Sequence, residues 1–119
     1  MRDTWKWEME MCCDMHIESL YKQLQECLQK GQRTGINLSP QYAAAPHDET
    51  LFDSVMLSLK STADGTLELR GAVSYWNPAQ GYHGQSTTIR AFANADDCLT
   101  WLQDSSAASE ECADVMATL

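Results

Sequence analysis

The stretch VMLSLKSTADGTLELRGAVSY, residues 55–75, decides the fold. Leu51, Val55, Leu57 and Leu59 alternate with Ser54, Met56 and Ser58, and Leu67, Leu69, Val73 and Tyr75 repeat the period of two after the turn Ala63-Asp64-Gly65. A two-residue period puts successive side chains on opposite faces of a strand, and Asp-Gly between two such runs favours a tight hairpin. Gly71 inside the returning strand marks a bulge or the close passage of another element. Trp76 has the parity of Glu68, Arg70, Ala72 and Ser74, so either a second layer covers that face or an indole is turned to solvent.

Toward the C-terminus, Asn77-Pro78 and the run Gly81 to Gly84 interrupt the pattern, and the spacing predicts a strand connection over 77–85. Thr87, Ile89 and Ala91 then begin a third alternating strand that ends near Phe92, completing a three-stranded meander. Asn94 with Asp97 three residues on is a capping-box variant ahead of Cys98, Leu99, Trp101 and Leu102, which predicts a helix over 95–103. Ser105-Ser106-Ala107-Ala108-Ser109 reads as a small-residue linker into a terminal helix faced by Cys112, Val115, Met116 and Leu119.

Toward the N-terminus, Pro40, Pro46, Gly31 and Gly35 make 31–50 an irregular connection with a short turn near Tyr42. Before it, Ile17, Leu20, Tyr21, Leu24, Cys27 and Leu28 form one stripe at helical spacing. Asp14 caps its start and Gly31 its end, which predicts a helix over 14–30. Trp5, Trp7, Met9 and Met11 alternate with Lys6, Glu8 and Glu10, the pattern of a half-buried strand over 4–12. A continuous helix is the rival, because Trp5, Met9, Cys12, His16 and Leu20 also recur at helical spacing with no Gly or Pro among them.

These elements add up to a single α+β domain of order β-α-β-β-β-α, a mainly antiparallel sheet packed by helices. Residues 1–104 make the domain, and 105–119 make a C-terminal tail expected to form a short helix on it. At 119 residues a second independent core does not fit.

With 17 acidic and 8 basic side chains the formal charge is -9, so a phosphate backbone is repelled and direct nucleic-acid binding is excluded. The basic start meets Glu8 and Glu10 where an export signal needs an apolar stretch, and the longest apolar run is Tyr42-Ala43-Ala44-Ala45, too short to enter a membrane as a helix. The five cysteines, Cys12, Cys13, Cys27, Cys98 and Cys112, are odd in number and contain no CxxC pair. They fit a reducing, cytoplasmic compartment better than a disulfide framework.

No chemical motif is complete. Cys12, Cys13 and His16 supply three neighbouring ligand types where a structural zinc site wants four, and no spacing brings Cys27, His47 or His83 to them, so no metal is expected. Glu8, Glu10, Asp14 and Glu18 surround the same cysteines with negative charge that disfavours a thiolate nucleophile. Ser86, His83 and Asp64 can be combined on paper as a triad, but no GxSxG accompanies them. Gly81-Tyr82-His83-Gly84 lacks the lysine and helix start of a phosphate loop, so no cofactor is expected.

What remains is a contact surface. Trp76, Tyr82 and His83 concentrate amphipathic rings beside the 77–85 segment, and Asp96, Asp97 and Asp104 are acidic residues suited to a basic protein partner. The sequence therefore points to a small acidic protein-binding inhibitor or adaptor that blocks a basic, nucleic-acid-handling host complex, of the anti-defence kind carried by phages and mobile elements. The alternatives are an immunity or chaperone-like protein for one cognate toxin or effector, and a small enzyme using His83 or a cysteine.

Overall fold

A computed structural model describes residues 2–39, 54–77, 79 and 81–118, the side chains of 2–12, 54–55, 74–77 and 82–83 excepted. The chain runs as helix α1 (Arg2–Gln29), strands β1 (Asn37–Leu38), β2 (Ser54–Ser61), β3 (Leu67–Asn77) and β4 (Gly81–Phe92), and helices α2 (Ala95–Leu102) and α3 (Ser105–Met116). The four strands form an antiparallel sheet in the order β1-β2-β3-β4. This is the α+β domain that the alternating runs imply.

The strand expected over 4–12 is instead the first part of α1. The alternation is outcompeted because a helix with no Gly or Pro to stop it adds one hydrogen bond per residue, whereas a strand needs a neighbour to pair with. Cys13, Ile17, Leu20 and Leu24 are fully buried along its later stripe. At its far end Gly31, with φ 81°, lets its own N–H reach the Leu28 carbonyl and the Gln32 N–H reach the Cys27 carbonyl. This paired pattern satisfies carbonyls that a helix end otherwise leaves open, and it needs the left-handed residue that glycine supplies.

The β2–β3 hairpin turns where Asp-Gly predicts it. Thr62 donates its N–H to the Thr66 carbonyl, Gly65 takes φ 91°, and the Asp64 carboxylate accepts from the Thr62 and Thr66 hydroxyls. The Thr62 bond first, then those from Thr66, hold the exposed Asp64 carboxyl below its usual range. The sheet also gains β1 from the segment read as irregular: Asn37 and Leu38 pair with Lys60 and Leu59, and buried Ile36 exchanges hydrogen bonds with Ser61. The turn expected near Tyr42 lies outside the described residues.

All three helices pack on one face of the sheet. Leu57, Leu59, Leu67, Leu69 and Val73 meet α1 residues Ile17, Leu20 and Leu24, α2 residues Cys98 and Leu102, and α3 residues Cys112, Ala113 and Met116 in one buried core. Each fully buried aliphatic side chain of this kind contributes about 1.5 to 3 kcal/mol. Gly71 is the close passage suspected from the sequence: a Cβ there would lie 2.7 Å from Met116 Sδ and 2.8 Å from Ile89 Cδ1. The bulge sits next to it, between Leu69 and Arg70, where Ile89 is the extra residue of β4.

The terminal helix starts at Ser105 rather than after a linker. Asp104 accepts the Ala107 N–H, and the buried Ser109 hydroxyl donates to Asp14 Oδ1 of α1. The run Ser-Ser-Ala-Ala-Ser is therefore a capped first turn whose small side chains permit close approach to α1.

Candidate partner-binding surface

The 77–85 segment is the main correction at the candidate site. It is not a long connection: β3 continues to Asn77, β4 starts at Gly81, and the pairing runs unbroken through Trp76 with Tyr82, Tyr75 with His83 and Ser74 with Gly84. Ladder hydrogen bonds outweigh the break signal of Asn77-Pro78 and the glycines, because Gly81 at φ 82° serves the turn itself. The register places the Trp76, Tyr82 and His83 backbones together at the distal end of one hairpin. Their side chains are outside the described ones. The acidic set lies elsewhere, around α2.

Asp96 and Asp97 occupy the first turn of α2, where carboxylates favour the positive end of the helix dipole. Asn94 Oδ1 accepts the Asp97 N–H at 2.8 Å, so the capping residue named from sequence does cap. Asp104 starts α3, at the other end of α2 and about 12 Å along its axis at 1.5 Å per residue. The three are thus not one tight cluster. Asp96 meets Arg33 at 3.2 Å, both side chains being more than half exposed, and Asp104 is a helix cap, while Asp97 presents an exposed carboxylate.

The C-terminal part of the sequence carries a simpler signal than these three residues. Arg90 is the last basic residue, and from there to the C-terminus the chain has Asp96, Asp97, Asp104, Glu110, Glu111 and Asp114 with no Lys or Arg. α3 packs along α1, and Asp14 and Glu18 of α1 are exposed, as are Glu110 and Asp114 of α3. The helix layer is the negative pole. On the sheet, Lys60, Arg70 and Arg90 stand against the single acid Glu68 within β2, β3 and β4.

Arg90 joins the two. Its guanidinium lies 5.4 Å from the Trp101 ring centroid and 3.4 Å from the Glu111 carboxylate, and Trp101 also packs on Phe92 with ring centroids 5.5 Å apart. This pins the end of β4 to α2 and α3.

The buried thiols of Cys98 and Cys112 are set up for packing. Burial pushes Cys98 up to about 12, and burial with the nearby Glu111 charge does the same for Cys112. At neutral pH both therefore stay in the thiol form, which suits packing better than nucleophilic chemistry. His16 is buried, and burial lowers it to about 4, so it is neutral at pH 7. Among the described residues, no three His, Cys, Asp or Glu side chains converge as metal ligands, and no helix is long and apolar enough to cross a membrane.

No protein-family model matches the chain, and no match to a curated protein or a solved structure reaches significance.

Proposed function

We propose that this is a protein-binding inhibitor or adaptor, not an enzyme, that acts in the cytoplasm by occupying a basic surface on a nucleic-acid-handling complex. The observation that carries the reading is the one-sided charge: α2 and α3 with their caps hold six acids and no base. A surface of one sign attracts the opposite sign, orients the encounter and speeds association, and it competes with phosphates for the same groove. Trp76, Tyr82 and His83 then act as the aromatic anchors, since a few rings supply most of the affinity at a typical interface. Such a small blocking protein suits a phage or mobile element acting against host defence.

The test is affinity capture of the partner from cell extract, followed by binding kinetics with the purified complex. The expected partner is basic, binds stoichiometrically, and is released by competing nucleic acid. Replacing Asp96, Asp97 and Asp104 together by Asn should slow association several-fold and leave dissociation nearly unchanged, an effect that fades as salt shortens the screening length. Asn is chosen because it still caps a helix. Tight binding of the isolated protein to an oligonucleotide, or a partner whose association rate ignores both salt and these substitutions, overturns the reading.

A further inference from the structure

β4 is the edge of the sheet along its whole length, and among the described residues nothing pairs with its outer side. The end near Arg90 and Phe92 is pinned to the helices. Toward the other end Gly84, Gln85 and Ser86 are all exposed, so at three consecutive positions neither face of the strand is covered. An exposed edge offers a row of backbone donors and acceptors to any extended chain, and proteins normally guard it with Lys, Pro, inward charges or a bulge. Between Gly81 and Ile89 this strand has no Lys, Arg, Asp, Glu or Pro. Its bulge falls beyond Thr88, leaving Gly81 to Thr88 in regular register.

We infer that two copies of this chain join through this edge, their β4 strands pairing antiparallel about a two-fold axis to make one continuous sheet. The charge distribution leaves this edge open to a second copy. Two molecules of charge -9 repel wherever their helix layers meet, and β4 from Gly81 to Ile89 is a stretch where identical surfaces meet without opposing like charges. An antiparallel edge is also self-complementary, because the two-fold that relates the strands reverses their direction. Keeping both helix layers on one side of the joined sheet requires residues of equal parity to face each other. The axis then passes through Gly84 or Gln85, and the two Gln85 side chains are opposite or diagonal neighbours.

Sedimentation equilibrium of the full chain decides it, using the wild type, Gln85→Lys, Gln85→Glu and an equimolar mixture of the two variants. The wild type is expected at twice the 13.3 kDa chain mass. Each charged variant alone should dimerise several-fold more weakly, and the mixture should recover dimer as a Lys–Glu heterodimer, an outcome that unfolding of a variant cannot imitate. Wild-type protein that stays monomeric at millimolar concentration overturns the inference. So does a dimer that both charged variants form as strongly as the wild type. The dimer is measured without any partner, so its failure leaves the proposed function standing.

Discussion

The helix layer and the distal half of the β3–β4 hairpin solve opposite problems. The three helices carry eleven acidic and three basic residues and bury a continuous apolar stripe, whereas Gly81 to Thr88 has no formal charge at neutral pH and leaves Gly84, Gln85 and Ser86 exposed. A helix satisfies its own backbone, so the helix layer is free to spend its outer surface on charge. An edge strand cannot satisfy its outer backbone groups, and keeping it uncharged leaves it open to another chain. Charge therefore acts at long range from the helices, and open backbone groups act at short range from the hairpin edge.

The largest test breaks the helix side. Leu20 is fully buried in the layer between α1 and the sheet, so Leu20→Ala should cost on the order of 4 kcal/mol, while Ser86→Ala on the exposed hairpin should change stability by less than about 0.5 kcal/mol. Chemical denaturation of the two variants checks the contrast. Equal losses would mean that the hairpin is part of the core.

Acid offers the next test of the same layer. His16 is held at about 4 against an ordinary 6.5 because burial disfavours its charged form. The unfolded chain therefore binds the proton first as pH falls. Stability contributed by the neutral imidazole is complete above about 6.5, declines through the window down to about 4, and has gone below it. The whole window corresponds to about 3 kcal/mol. Unfolding measured between those pH values should show this slope in the wild type and a shallower one in His16→Gln. Parallel slopes would remove His16 as the cause.

Both tests fall on α1 and β4, whereas the elements written most plainly in the sequence are others. The β2–β3 hairpin was legible because Asp64-Gly65 and the alternating leucines agree, and α2 because Asn94, Asp97 and the Cys98 to Leu102 stripe agree. Residues 4–12 satisfied both periods, and only continuity with the buried stripe from Cys13 onward selects the helix. The 77–85 segment misled for the opposite reason: Gly81 at φ 82° does serve a turn, but Gly84 lies in the ladder opposite Ser74, and a short turn between two long arms carries the same break signals in sequence as a long loop. At the candidate site, the exposure of Asp97 followed from its place in an N-terminal turn. The Arg33 contact to Asp96 could not, since 63 positions separate them in the chain.

The smallest test separates charge from capping inside the acidic layer. Asp104 Oδ1 accepts the Ala107 N–H, and its carboxylate also adds to a region without a basic residue. Capping favours Asp104 because it satisfies one of the N–H groups that the first turn of α3 leaves open, worth about 1 kcal/mol against alanine. Charge pulls both ways: the helix dipole favours a carboxylate there, and the surrounding acids oppose it, each by a few tenths of a kcal/mol on an exposed surface. Asp104→Ala should therefore lower stability by about 1 kcal/mol, and Asp104→Asn, which keeps the acceptor and removes the charge, should leave it nearly unchanged. Thermal melts of both variants at low and high salt read the two contributions apart, because salt screens the charge and leaves the hydrogen bond. If Asp104→Asn loses as much as Asp104→Ala, the dipole outweighs the cap. If it gains stability that disappears in salt, the acids of α2 and α3 repel one another strongly enough to be held together only by the core beneath them, which is the condition expected of a surface shaped for a positively charged partner.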